Sequence, residues 1–178
     1  MPESLLLRTI FPLRSIFTMK QATLCFLVNQ EEQKILLGMK KRRFGEGKYN
    51  GFGGKPNGDE LIEETAIREL CEEAGVEVSS ESLFKVAELT FYFSQKPEWD
   101  QVVHVYLVYQ WEGTPQESEE MRPEWFRFAE IPYSQMWQDD KYWLPLLLQG
   151  KQVTGTFHFG DDNETVVKYE LKENVIFK

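Results

Sequence analysis

Apolar positions recur along this chain at two different periods, and the change of period marks its elements. Short apolar or alternating runs in ATLCFLV (residues 22–28) and KILLGM (34–39) predict two β-strands around the polar turn NQEEQ. Further strands are expected near 84–93, 102–110 and 124–129, and QVTGTFHF with ETVVKYELK predicts a closing hairpin around GDDN. IPYSQM and DKYWLPLLLQ read as short helices, with Pro145 expected to break or bend the second. KKRRFGEGKYNGFGGKPNGD (40–59) is too rich in glycine and charge to be anything but loop, with a short strand at its end. Over 59–74 the period becomes helical, with Asp59 expected to cap the start and Gly75 to end it. The pattern predicts an α/β (α+β) chain with a mixed sheet, no internal repeat and no linker.

Length and charge narrow the function. A chain of 178 residues with 42% hydrophobic content can bury one domain's core. Its net charge of -9 repels a nucleic-acid backbone and no basic stripe compensates, so a nucleic-acid polymer is not an expected partner. A small polyanion remains open if a divalent metal mediates the contact. No apolar run approaches a membrane span, so no membrane partner is expected. Cys25 and Cys71 have neither a disulfide framework nor zinc spacing, which favours a reducing compartment. Residues 1–19, MPESLLLRTIFPLRSIFTM, form an N-terminal extension with the pattern of an amphipathic mitochondrial presequence; the alternative is an extension with no address. The expected location is cytoplasmic, with mitochondrion and nucleus as further destinations.

On the helical wheel, Ile62, Ala66, Leu70 and Ala74 form the apolar stripe. Glu69 and Glu73 lie beside it at i and i+4, Glu72 is one step further round, and Arg68 is expected to project away from this acidic edge. Carboxylates at these spacings repel, and burying them without a partner costs several kcal/mol or shifts their pKa. A hard cation with oxygen ligands removes both penalties. The alternative is a solvated acidic helix with Glu64 and Arg68 paired at its surface.

A second stretch raises a separate question. WQDDKYW (137–143) sets two aspartates among large aromatic rings. Either one of them caps a short helix, or one reads a flat, hydrogen-bonding ligand. The stretch by itself leaves both open.

Gly54, Glu60, Arg68-Glu69-Leu70, Glu72-Glu73 and Gly75-Val76 then match a longer pattern: G, five residues, E, seven residues, R-E-apolar, one residue, E-E, one residue, G-apolar. Seven fixed identities at background usage coincide by chance on the order of once in 10⁸ registers. In this the chain resembles the Nudix family. The resemblance implies a mixed sheet sandwiched between helices over residues 20–178, and hydrolysis of a nucleoside diphosphate linked to another group. It implies Glu69, Glu72 and Glu73 as ligands of Mg²⁺, for which Mn²⁺ can substitute, joined by the Gly53 carbonyl. It makes Arg68 an orienting partner and Glu60 a support of the loop. Outside the box, Glu120 is the candidate for a further metal ligand or base, with Glu119 its rival.

From about Thr23 onward the chain resembles the branch of that family that hydrolyses oxidised purine nucleoside triphosphates such as 8-oxo-dGTP and 2-hydroxy-dATP to monophosphate and diphosphate. The resemblance implies a monomer with a substrate site of Thr23, Lys40, Phe44, Asn50, Phe52, Gly53, Gly54, Lys55, Phe91, Met121, Trp137, Gln138, Asp139, Asp140 and Trp143. Trp137 can stack on a purine, and Asn50 offers both a donor and an acceptor to its edge. Arg43 and Gln138 depart from that branch, which has glycine and proline at these places. Other nucleoside diphosphate derivatives, such as ADP-ribose or a methylated purine triphosphate, are the enzyme alternative. A Nudix-fold binding module without turnover is the other.

Overall fold

The computed structural model describes residues 19–177, so the candidate presequence lies, except for Met19, outside the described residues. The strands are β1 (Lys20–Asn29), β2 (Lys34–Lys40), β3 (Tyr49–Asn50), β4 (Leu83–Phe93), β5 (Gln101–Val108), β6 (Met121–Arg127), β7 (Val153–Phe159) and β8 (Val166–Glu173). They form one mixed sheet in the order β3-β2-β1-β5-β4-β7-β8, with β6 on the other edge of β2. β1 runs parallel to β5 and β4 parallel to β7, while the remaining neighbours are antiparallel.

Alternation along the strands builds two cores, one on each face. On β5, Val103, Val105 and Leu107 point to one side with Phe26, Phe157, Trp143, Leu144 and Leu147. Tyr106 and Val108 point to the other, against Cys25, Leu27, Ala66, Leu70 and Ala74. Helix α1 (Ile62–Ala74) covers the second face and α2 (Asp140–Leu148) the first. Full burial of a leucine such as Leu70 or Leu144 stabilises by roughly 1.5–3 kcal/mol. Cys25 is buried and Cys71 exposed, and both are free thiols.

The start of α1 differs from the sequence reading. Asp59 does not cap it. The Glu64 carboxylate instead reaches back to the amide of Leu61, the N-cap residue, at 2.9 Å. Gly75 ends the helix as expected, in left-handed backbone with φ 70°, its amide donating to the Cys71 carbonyl. Pro145 does not stop α2, which runs on to Leu148.

The pairing of β1 with β2 positions the site. It holds only at the turn, Val28 with Ile35 and Asn29 with Lys34, and the strands then diverge. The strip 50–54 runs along β1 instead, joined to it by Cys25–Phe52 and Thr23–Gly54 backbone bonds. At Gly51 and Gly53 an added Cβ would run into the Cys25 and Thr23 carbonyls. Gly51 and Gly53 of GFGG are thus required because two backbones approach closely, not because φ is positive.

Candidate active site

A cleft of about 760 Å³ opens where β1 and β2 part. Its walls come from β1, β2, β4, β5 and β7, from the strip after β3, from α1 and α2, and from the segment before β6. One end is acidic and the other aromatic.

At the acidic end, α1 presents Glu69, Glu72 and Glu73. Glu73 is buried, and its carboxylate accepts from the Gly53 amide and the Lys40 ammonium, both at 3.0 Å. Burial pushes its pKa up, opposed chiefly by Lys40. Lys40 also reaches Glu120 at 3.2 Å, so one ammonium bridges the helix and the segment before β6. The Glu120 carboxylate is partly desolvated, yet Lys40, Arg43 and Arg42 outweigh that and hold its pKa below the usual range. Glu119 also lines the cleft, but its side chain is 85% exposed against 24% for Glu120, and among the described residues it forms an ion pair with Arg42 alone. Glu120 is thus the less exposed and the more extensively paired of the two.

Arg68 corrects the wheel reading. It does not project away from the acidic edge; it is the hub of it. Its guanidinium donates to Glu60 at 2.8 and 3.0 Å, to Glu69 at 2.8 Å, to Glu72 at 3.1 Å and to the Lys55 carbonyl at 3.1 Å. The wheel places Cα–Cβ vectors, whereas a long side chain folds back along the surface to reach its partners. Glu60, held to a pKa of about 2 chiefly by Arg68, also accepts from the Asn57 amide and the Thr65 hydroxyl. It thereby pins the loop before α1. Gly54 completes this end, because a Cβ there would collide with the Glu69 carboxylate.

The oxygen donors fit a hard divalent cation: carboxylates of Glu69, Glu72, Glu73 and Glu120 beside the Gly53 backbone. Among the described residues no three of them already converge as a ligand cluster. Arg68 pairs with Glu69 and Glu72, and Lys40 with Glu73 and Glu120.

At the aromatic end, Phe44 stacks on Trp137 with centroids 5.0 Å apart, and Trp99 meets Phe44 edge-on at 4.9 Å. Phe93 and Phe159 stack at 4.7 Å behind them. Phe91 lines the wall and packs on Phe157 in the core, while Met121 is buried at the junction of the two ends. Asn50 lines the cleft, and its side-chain oxygen accepts from the Gly51 amide at 2.9 Å. Thr23, in the cleft wall, exchanges hydroxyl bonds with the Gly54 backbone.

Asp139 and Asp140 close this end and are almost fully buried, 3% and 2% exposed. Asp139 occupies the N-cap position of α2, but its side chain makes no cap bond. It accepts instead from the Trp143 indole at 2.8 Å. Asp140 keeps one carboxyl oxygen with no partner. Burial raises the pKa of both, and the charge of Asp139 raises that of Asp140 further.

Of the sequence-derived site residues, Phe52 and Gln138 lie elsewhere. Phe52 is fully buried in the core under α1, since alternation turns it away from the cleft. Gln138 accepts from the Val166 amide at 2.6 Å and anchors β8. Phe93, Trp99 and Phe159 were missed. Phe91 and Phe93 share a face by strand alternation, which was a usable signal, but Trp99 arrives through a turn with no such periodicity.

Residues 18–147 match the NUDIX domain. The chain is 49% identical to the oxidized purine nucleoside triphosphate hydrolase of Mus musculus over 143 residues, 80% of this chain and 89% of that one. It is 46% identical to the protein of the same name from Danio rerio over 158 residues, 89% of this chain and 97% of that one. Its fold is similar to that of a MutT protein from Bacillus halodurans, with TM-score 0.73, 26% identity, and coverage of 86% of this chain and 97% of that one. The acidic helix held by its arginine hub, the glycines packed against it and these likenesses agree: the chain belongs to the Nudix family.

Proposed function

We propose that this protein hydrolyses oxidised purine nucleoside triphosphates, 8-oxo-dGTP and 2-hydroxy-dATP among them, to nucleoside monophosphate and inorganic diphosphate, so that damaged bases stay out of DNA. The observation that carries the reading is the buried Asp139–Asp140 pair at the far end of a cleft whose near end holds the box carboxylates. A protonated carboxyl donates a hydrogen bond and an ionised one only accepts. Two adjacent carboxyls with raised pKa values titrate as a unit, so one pocket can present donor and acceptor patterns suited to either oxidised guanine or oxidised adenine. Trp137 and Phe44 supply flat apolar faces, and Asn50 a third polar group.

Nudix hydrolases work with divalent metals. Here Mg²⁺, with Mn²⁺ able to substitute, is the proposed ion, held by Glu69, Glu72, Glu73, Glu120 and the Gly53 carbonyl. When bound it neutralises phosphate charge and acidifies a water. Arg68 keeps Glu69 and Glu72 aimed from the helix and ties down the Lys55 carbonyl, while Glu60 anchors Arg68 and holds the Asn57 amide of the loop in place. The protein is proposed to act as a monomer on free nucleotides in the cytoplasm, with mitochondrial and nuclear fractions. The test is diphosphate release from 8-oxo-dGTP, 2-hydroxy-dATP, dGTP and ADP-ribose with Mg²⁺. Equal rates on 8-oxo-dGTP and dGTP, or a preference for ADP-ribose, would overturn it.

A further inference from the structure

The basic run KKRR (40–43) lies directly against the acidic run ESEE (117–120). Lys41 pairs with Glu117 at 2.7 Å, Arg42 with Glu119 at 3.0 Å, and Arg43 with Glu120 at 2.8 Å. The Lys41 amide ties the two segments together through the Glu120 carbonyl at 2.8 Å. Arg42, Arg43, Glu119 and Glu120 all line the cleft.

Arg43 is the exceptional member. Its φ is 67°, a left-handed conformation that a side chain with a Cβ disfavours. Stability does not explain an arginine there. Its side chain is 69% exposed, and an ion pair so open to water adds little to folding. The conformation does accomplish something local: consecutive side chains diverge, Phe44 to the stack on Trp137 and Arg43 to the carboxylate of Glu120. Only one guanidinium nitrogen is engaged, and the fork has no other partner among the described residues. A planar fork matches two phosphate oxygens better than it matches one carboxylate oxygen.

We propose that Arg43 is a polyphosphate-binding residue, parked on Glu120 in the free protein and transferred to the phosphates beyond the first when a nucleoside triphosphate binds. The transfer also releases Glu120 from one of its three cations. This rests on the reading of the cleft as a triphosphate site. Arg43 thus couples recognition of the phosphate chain to the freedom of the carboxylate beside it.

The experiment uses the full chain with Mg²⁺ and two variants, Arg43→Gln and Arg43→Gly. Calorimetry measures affinity for inorganic tripolyphosphate, which has the phosphates alone, and for 8-oxo-dGMP, which has the base and one phosphate. Arg43→Gln is expected to weaken tripolyphosphate binding and raise KM for 8-oxo-dGTP by about tenfold, the loss of one charge-assisted contact, with 8-oxo-dGMP binding within about twofold. Arg43→Gly, which relieves the backbone, is expected to show the same binding loss with Tm no lower than the parent. Unchanged tripolyphosphate affinity, an equal loss for 8-oxo-dGMP, or a lowered Tm with unaltered KM would each overturn the proposal. Failure of the parent protein to prefer oxidised purines would show in its own turnover and leave the tripolyphosphate comparison readable.

Discussion

The Trp143 indole donates to Asp139 at 2.8 Å, and neither side chain is more than 3% exposed. An ionised carboxylate accepts this bond, while its neighbour Asp140 has an oxygen without one. The pair is therefore built asymmetrically, with Asp139 fixed by Trp143 and one Asp140 oxygen without a partner among the described residues. Replacing each by Asn should affect the substrates unequally: Asp139→Asn and Asp140→Asn are expected to change the ratio of kcat/KM for 8-oxo-dGTP over 2-hydroxy-dATP in opposite directions. Steady-state kinetics on both substrates checks this, and equal losses on both would refute the exchange of roles.

The same pair has a stability signature. A carboxyl whose folded pKa is raised contributes no penalty below its unfolded pKa and destabilises progressively as pH rises through the folded value. Both aspartates shift upward, so wild-type stability should decline from acid toward neutral pH on their account. Asp140→Asn removes one of them. Its Tm should match wild type near pH 4 and exceed it by a few degrees at pH 8, as differential scanning calorimetry would show.

Glu73→Gln keeps the shape of the side chain and deletes its charge. Turnover should fall by a few orders of magnitude, because the negative charge that would hold the metal is gone. Tm should hardly change, since burial already disfavours the ionised form that Lys40 supports. A stopped assay for diphosphate release, read beside a melting curve, separates these. Undiminished turnover would mean the metal is elsewhere.

Two adjacent glycines should fail differently. A Cβ at Gly53 meets the Thr23 backbone carbonyl, which cannot move without parting β1 from the strip beside it. Gly53→Ala should cost roughly 1–3 kcal/mol of stability, measured by urea melts. A Cβ at Gly54 meets the end of a side chain, Glu69, which can swing aside. Gly54→Ala should stay folded and lose activity, with kcat lowered more than Tm.

Arg68→Lys replaces a five-donor fork by a point charge. It should lower kcat by about 10–100-fold, the usual scale when an orienting partner is lost. Glu60 supplies a second readout. Its folded pKa is depressed to about 2, so its stabilisation is present above the ordinary carboxylate value and disappears as pH falls toward 2. The variant should accordingly lose less Tm between pH 6 and pH 3 than wild type does.

Sequence alone determined which segments pair with which face. Strand alternation and the stripe of α1 are periodic, and one-dimensional spacing is enough to sort such positions into inside and outside. The same spacing, through the resemblance it carries, made the acidic box legible, because its residues lie within one helix and the loop before it. Long side chains and chain crossings followed other rules. Arg68 bends back to Glu60, Glu69 and Glu72, Phe52 turns into the core, and Gln138 anchors β8. Lys40 meets Glu73 and Glu120 only because β2 parts from β1 and runs beside β6. The aspartates of WQDDKYW belong to the same class. Their neighbours fit a cap, and the cap position is indeed where Asp139 stands. Only packing against Trp143 and the aromatic wall took water from both carboxyls, and that loss of solvent turned two helix-starting residues into a titrating pair facing a cleft.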